Sequence, residues 1–190
     1  MVAFRVIMIT RAPRVLAGPF GFQAGFTLIE LLLAVALIGV VAAIAIPGLL
    51  NARGNSQEAS IVAGVRGVFA AQSAYAFSCA DGYFAPSLAR LGTQPADGSA
   101  PFVDADLAVD PATKGGYRLT LTAGAPVADA PASCNGAAAG EGVRTYWLSA
   151  DPIHTGPFRH FGGNQGGTLY QSTAAIAPTQ NGAPPGATAD

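Results

Sequence analysis

The sequence predicts an α+β fold, in which one long N-terminal helix packs on a small antiparallel sheet. Two observations lead to this class. A long apolar segment near the N-terminus continues without a break into an amphipathic pattern with helical spacing. The chain then changes to short alternating stretches separated by Gly-, Pro- and Ala-rich segments, which is typical of short strands joined by turns. At 190 residues, the chain has room for one modest domain besides the helix.

The apolar segment covers residues 25–50, GFTLIELLLAVALIGVVAAIAIPGLL. Residues 31–46 contain no polar side chain, and Glu30 is the one charged residue of the segment. A helix over residues 26–50 is about 37 Å long at about 1.5 Å per residue, enough to cross a hydrocarbon core of about 30 Å. Because a soluble helix normally keeps a polar face, the segment predicts a membrane-spanning helix.

The presence of the charged residue Glu30 in this apolar segment requires an explanation. An ionised carboxylate near the bilayer centre costs about 2.5–3.5 kcal/mol, so acids in membrane helices are usually paired, neutralised or functional. Glu30 lies one helical turn after Gly25 and Phe26. If the chain is cut between those two residues, the new α-amino group lies close to the depth of the carboxylate. It can then pair with Glu30 of a neighbouring chain, which predicts a role in assembly.

The Gly25–Phe26 junction, the single acid Glu30 and the long apolar run follow one another in a fixed order. Together they resemble the N-terminal signature of type IV pilins and of the pseudopilins of type II secretion. The resemblance covers residues 25–50, and beyond them it rests on the general layout of the chain alone. It implies that a prepilin peptidase cleaves between Gly25 and Phe26 and that the new N-terminal Phe26 is methylated. It also implies a pilin-like fold. The residues that carry it are Gly25, Phe26, Thr27, Leu28, Glu30 and Pro47.

The resemblance further implies a structural role rather than an enzymatic one. The expected function is that of a subunit of a type IV pilus or a type II secretion pseudopilus, assembled into a helical filament through the apolar helix. The expected partners are identical or related pilin subunits, the prepilin peptidase, the inner-membrane assembly platform and, before assembly, membrane lipid. Breaks at Gly39 and Pro47 let the helix of this family stretch as subunits pack, so Pro47 is expected to take part in assembly. Pro47 also predicts a bend or a local opening of the helix, because proline removes one helical hydrogen bond.

Charge is distributed unevenly along the chain. Residues 1–25, the predicted leader, hold three arginines and no acid, whereas residues 51–190 hold seven basic and ten acidic residues. By the positive-inside tendency, the leader stays cytoplasmic and the C-terminal domain faces outward. The sequence therefore predicts a single-pass protein of the inner membrane that later enters a pilus or pseudopilus.

An ordinary secretory signal is the alternative for the N-terminus. Arginines followed by an apolar run fit such a signal, and Ala43-Ile44-Ala45 offers a cleavage site. In that case Glu30 lies unpaired inside the apolar part of the signal. The matching alternative for the whole chain is a membrane-anchored extracytoplasmic binding domain that does not polymerise.

Helical spacing continues after the membrane segment, through residues 51–78. Apolar residues and Gln72 recur at intervals of three and four, while charged residues lie off this stripe. The pattern predicts an amphipathic second half of one long helix, with its stripe resting on the remaining domain. The stripe contains Ile61, Val65, either Val68 or Phe69, Gln72, and either Tyr75 or Ala76.

Residues 79–173 are predicted to form a small outward-facing α+β domain. It begins with a short helical turn at residues 86–91, closed by Gly92. Alternation predicts a strand at residues 117–122. Two further strands are predicted at residues 143–149 and 168–172, the last after a glycine-rich FGGNQGG turn. The low-complexity tail, residues 174–190, lacks periodicity and is predicted to be flexible.

Two cysteines, Cys79 and Cys134, lie in the part predicted to face outward. An even pair in an oxidising compartment predicts one disulfide, and the alternative is a pair of buried thiols. The two residues cannot supply the four ligands of a structural zinc site, because no further Cys or His motif accompanies them.

No pattern predicts an enzyme. His154 and His160 lie near Ser149 and Asp151, but no nucleophile elbow or other motif surrounds them. The acidic domain has no basic run, so no nucleic-acid partner is predicted. No metal or cofactor is predicted either. Aspartates 104, 106 and 110 lack the Gly and Glu of an EF-hand loop, although the resemblance leaves a calcium site of another kind open.

Overall fold

The structure, a computed structural model, describes residues 25–190. The predicted leader therefore lies outside the described residues apart from Gly25. The chain divides into two units between Ala45 and Ile46, and each is described by itself. The elements are α1 (Leu28–Ser78), α2 (Leu88–Leu91), β1 (Ala112–Lys114), β2 (Tyr117–Ala123), β3 (Tyr146–Pro152), β4 (His160–Asn164), β5 (Leu169–Ser172) and β6 (Thr188–Ala189).

The predicted long helix with an apolar first part is confirmed by α1. The helix contains a window long and apolar enough to cross a membrane, and none of that window is buried within the described part of the chain. α1 stays helical through Pro47, where the sequence predicts a bend or an opening. A proline in a membrane-type helix is tolerated when the surroundings satisfy the freed backbone groups.

In the second unit, α1 packs one face on a sheet. The buried stripe follows the predicted spacing of three and four, and it shares one apolar cluster with side chains of β2, β3, β4 and β5. Packing on a helix stabilises short strands, since an isolated two-stranded hairpin is marginal in water. The buried residues of α1 are Ile61, Gly64, Val65, Val68, Phe69, Ala71, Gln72, Tyr75 and Ala76.

The sheet is a six-stranded antiparallel meander in the order β1 to β6. The predicted small antiparallel sheet is therefore confirmed. Leu119 of β2 lies opposite Ala150 of β3, which in turn lies opposite Phe161 of β4. These three residues are buried in the cluster with α1, so the register places one apolar row across the middle of the sheet.

β4 is a strand where the sequence predicts a turn. A side chain at Gly163 would run into the Phe69 ring of α1, whereas one at Gly162 would run into the Trp147 ring. The two neighbouring glycines thus make room on opposite faces of one strand, as the alternation of a strand requires. The turn of the FGGNQGG stretch is confined to the residues after Asn164.

A buried amide joins α1 to the start of the outer domain. Gln72 is fully buried; its Nε2 donates to the Ala85 carbonyl at 2.9 Å, and its Oε1 accepts from the Ala85 amide at 2.9 Å. Both ends of the amide are thereby satisfied, which a buried polar side chain requires. The predicted helical turn follows as α2, with Ser87 as its N-cap and Gly92 as its C-cap.

Residues 174–190, called here the C-terminal segment, lie on the sheet, whereas the sequence predicts a flexible tail. Asn164, opposite Trp147 in the register, donates to the carbonyls of Thr179 and Gly182 at 3.1 and 3.0 Å. Gln180 donates to the Ala123 carbonyl at 3.2 Å. Asn164 precedes the segment, and Ala123 lies 57 residues from Gln180, so periodicity within the segment does not reveal these bonds.

The C-terminal segment covers the sheet face that α1 leaves free. Trp147 is fully buried but lies outside the apolar cluster with α1, and Asn164, its partner on β4, anchors the segment. β6 then pairs with β5, and the Asp190 amide donates to the Leu169 carbonyl at 2.9 Å. The sheet is thus covered on both faces.

Cys79 and Cys134 form a disulfide with their Cα atoms 4.9 Å apart. Cys79 directly follows α1, and Cys134 lies in the connection between β2 and β3. The Cys134 amide also donates to the Cys79 carbonyl at 3.0 Å. The bond therefore ties the end of the long helix to the sheet connection.

Candidate functional site

The candidate site is the junction at the start of α1, residues 25–30. Gly25, Phe26 and Thr27 are not helical, and α1 begins at Leu28. The Phe26 side chain is 81 % exposed. The peptide bond between Gly25 and Phe26, the predicted cleavage position, therefore lies outside the helix, where its backbone groups are not held by helical hydrogen bonds.

Thr27 and Glu30 close a capping box at this helix start. The Glu30 amide donates to Thr27 Oγ1 at 3.3 Å, and the Thr27 amide donates to Glu30 Oε2 at 3.4 Å. The Thr27 hydroxyl also donates to the same Oε2 at 3.1 Å. Two backbone donors of the helix start are satisfied in this reciprocal way. Glu30 also places its negative charge at the positive end of the helix dipole.

The capping box leaves part of the Glu30 carboxylate available. Both bonds from Thr27 end on Oε2, and none of the hydrogen bonds described for residues 25–190 uses Oε1. One oxygen thus fixes the carboxylate to its own helix, while the other makes no hydrogen bond among residues 25–190. The intrachain cap is not among the roles predicted for Glu30 from the sequence, although the T-x-x-E spacing of a capping box is present in residues 27–30.

The apolar surface that follows is exposed along its whole length. Exposed large side chains extend over residues 26–50, and Leu50 near its end is still 60 % exposed. A contiguous apolar surface of this kind marks contact with lipid or with other chains. Pro47 lies within it, inside α1.

The residues weighed as catalytic do not form a constellation. His160 Nδ1 lies 2.7 Å from Asp151 Oδ1, and the two residues face each other at the end of the β3–β4 pair. His154 lies in an exposed loop. Among the contacts of residues 25–190, no hydrogen bond joins Ser149 to either histidine. The arrangement is an ordinary cross-strand pair.

Two of the three aspartates weighed for calcium are already used by the chain. Asp110 accepts from the Leu88 amide at 2.7 Å and from the Leu121 amide at 3.3 Å. Asp106 pairs with Lys114 at 2.9 Å, and this hydrogen bond lowers the pKa of the Asp106 carboxyl. Asp110 therefore anchors α2 to the sheet rather than facing a ligand.

Comparison with known proteins gives one family match. A family model of the prokaryotic N-terminal methylation motif matches residues 22–46. No curated protein and no solved structure matches the chain. The matched residues include the Gly25–Phe26 junction, the capping box and most of the exposed apolar surface, so the resemblance found in the sequence is confirmed. The chain carries the prokaryotic N-terminal methylation motif, the signature of type IV pilins and pseudopilins, at the start of an α+β pilin-like fold.

Proposed function

We propose that this chain is a prepilin-type structural subunit, processed between Gly25 and Phe26 and methylated on Phe26. It then assembles through α1 into the helical filament of a type IV pilus or a type II secretion pseudopilus. One observation carries the proposal. The methylation motif over residues 22–46 coincides with a non-helical junction, a capped helix start and an apolar helix surface without a partner in the described residues.

Cleavage changes the charge at the junction. Hydrolysis of the Gly25–Phe26 bond leaves a carboxylate on Gly25 and an α-ammonium group on Phe26. The ammonium group of one subunit then meets Glu30 of its neighbour, whose Oε1 is left free by the capping box. Charge pairs are much stronger in an apolar surrounding than in water, so this pair selects one register between neighbouring helices.

Before assembly, α1 is held in the inner membrane as a single span, and the domain that begins after residue 50 is extracytoplasmic. Removal of the basic leader by the prepilin peptidase and transfer by the assembly platform then bring the subunit into the filament. In the filament, the apolar surface of α1 exchanges lipid for identical or related subunits. The role is structural, and the described residues serve fold and assembly rather than catalysis.

The mass of the mature N-terminus tests this proposal. Protein isolated from its native membrane is expected to begin at N-methylated Phe26. Replacing Gly25 by Leu places a bulky side chain at the cleaved bond and is expected to leave the leader attached. An intact N-terminus in the unaltered chain, or cleavage near Ala45, would overturn the proposal in favour of a membrane-anchored binding domain that does not polymerise.

A further inference from the structure

We propose that the loop between β3 and β4, residues 153–159, is a membrane-contacting rim of the outer domain. Its occupant is the surface of the bilayer that α1 enters, at the depth of the lipid headgroups. The inference rests on the proposed function in one respect, because it requires α1 to be inserted. The exposed tip of the loop reads Ile153-His154-Thr155-Gly156-Pro157.

The loop lies beside the end of the apolar run of α1. A Cβ at Gly54 would lie 3.6 Å from Cε1 of Phe158, so the loop touches the helix at Gly54. The apolar run ends at Leu50, four residues earlier. Four residues correspond to about 6 Å along the helix axis.

An ion pair fixes the loop to α1 at the next helical turn. Arg159 donates from its backbone amide to Glu58 Oε1 at 3.2 Å and from Nε to Glu58 Oε2 at 2.9 Å. The Glu58 side chain is only 12 % exposed, and its hydrogen bonds to Arg159, followed by its charge, raise the pKa of Arg159. The Arg159 guanidinium also lies over the Phe161 ring, 5.6 Å from its centre. These contacts fix the position of Arg159, at the end of the loop, along the axis of α1.

If α1 is inserted as far as Leu50, the contact between Gly54 and the loop lies in the headgroup layer. Leu49 and Leu50 expose more than half of their side chains, so immersion to Leu50 removes their apolar surface from water. Each headgroup layer is about 5–8 Å thick, from a bilayer of about 40–45 Å with a core of about 30 Å. Gly54 and the Phe158 ring that contacts it, about 6 Å beyond Leu50, then lie within that layer. The tip, residues 153–157, directly precedes Phe158 in sequence.

The chemistry of the tip suits a headgroup layer. Ile153 is 42 % exposed, which makes it one of three large hydrophobic side chains exposed outside the apolar run in the described residues. Residues 153–158 contain no acid, and the exposed Arg53 precedes the contact at Gly54. An exposed apolar side chain on a loop without acids, together with a cation on the adjoining helix, is a combination that suits the interface of an anionic membrane.

Tryptophan fluorescence tests the contact, because Trp147 is the one tryptophan of the chain and is fully buried. The full chain with Ile153→Trp is reconstituted in vesicles of phosphatidylcholine and phosphatidylglycerol that carry bromine near the glycerol end of their acyl chains. The emission added by the new tryptophan is expected to shift to shorter wavelength and to be quenched. His154→Trp, one residue further into the exposed tip, serves as a second probe.

Phe77→Trp is the matched control. Phe77 is 93 % exposed on the same helix, and it lies 23 residues beyond Gly54. This separation is about 35 Å along the helix axis. Its added emission is expected to stay unquenched, as does the emission of Trp147 in the unaltered chain.

Flotation of the vesicles separates the two proposals. A chain that floats with the vesicles, but whose tryptophan at position 153 is no more quenched than that at position 77, overturns the membrane-contacting rim alone. A chain that does not float with the vesicles overturns both the rim and the proposed insertion of α1. Selective quenching at positions 153 and 154 supports the rim.

Discussion

Glu30 both caps the start of α1 and carries a negative charge. Two different substitutions separate these roles. Gln occupies the same capping-box position as Glu, so Glu30→Gln keeps the bonds to Thr27 but removes the charge. We expect this variant to be inserted and processed normally and to yield few filaments, because the Phe26 ammonium group has lost its partner. Comparing sheared filaments with the membrane fraction, and measuring the N-terminal mass, checks both outcomes.

Thr27→Val is the reciprocal control. It keeps the charge of Glu30 but removes the hydroxyl that caps the helix, which costs about 0.5–2 kcal/mol of helix stability. If Glu30→Gln assembled as well as the unaltered chain while Thr27→Val did not, the carboxylate would matter as a cap and not as a charge. The pairing role of Glu30 would then be wrong.

Tyr117, a residue of the buried core, is expected to make the stability of the fold depend on pH in the alkaline range. Its hydroxyl is buried without a hydrogen-bond partner in the described residues, and burial, followed by the charge of Glu58, raises its pKa to about 12. The folded state holds the Tyr117 proton more tightly than the unfolded chain does. The contribution of this proton to the free energy of unfolding is therefore complete below about pH 10 and is lost as the pH rises towards 12.

We therefore expect Tyr117→Phe to be neutral or stabilising at pH 7, since it removes an unpaired buried hydroxyl. Its stability should also fall less steeply above pH 10 than that of the unaltered protein. Urea unfolding of the detergent-solubilised chain at a series of pH values measures both effects. An equally steep alkaline loss in the variant would show that other groups control it.

At the scale of elements, the C-terminal segment acts as the cover of Trp147. Ending the chain after Thr173 removes the carbonyls that Asn164 binds and uncovers this sheet face. We expect the Trp147 emission to shift to longer wavelength and to become accessible to acrylamide. Asn164→Ala, which removes two anchoring bonds and keeps the segment, should give a smaller change of the same sign. Unchanged emission after truncation would contradict the covering role.

The strands themselves show which elements local pattern reveals. β2 alternates between buried and less buried side chains over its seven residues, and the sequence predicts it. β3 spans residues 146–152, three residues later than the predicted 143–149, and it does not alternate because its first three residues are all buried. β1 and β6 have three and two residues, too few for a period, and they exist because a longer neighbour supplies their hydrogen bonds. β4 is hidden for another reason. Its two glycines signal a turn locally but provide room for rings on both faces of the sheet.

At the scale of the whole molecule, the disulfide closes a long loop. Cys79 and Cys134 are separated by 55 residues. For a loop of this length, the chain-entropy model gives a stabilisation of about 4 kcal/mol. We expect the double replacement of both cysteines by Ser to lower the free energy of unfolding by up to this amount, measured by urea titration. An unfolding curve that reductant does not shift in the unaltered protein would contradict this expectation.

The sequence by itself determined the N-terminal signature, the apolar span and the buried stripe of α1. These features depend on local spacing and on the solvent that each side chain prefers, so they can be read from neighbouring residues. Only the tertiary structure decided that residues 174–190 cover Trp147 and that Arg159 meets Glu58, 101 residues away. Such contacts join polar residues whose local sequence is ordinary, and their energy arises only when the folded sheet brings them together.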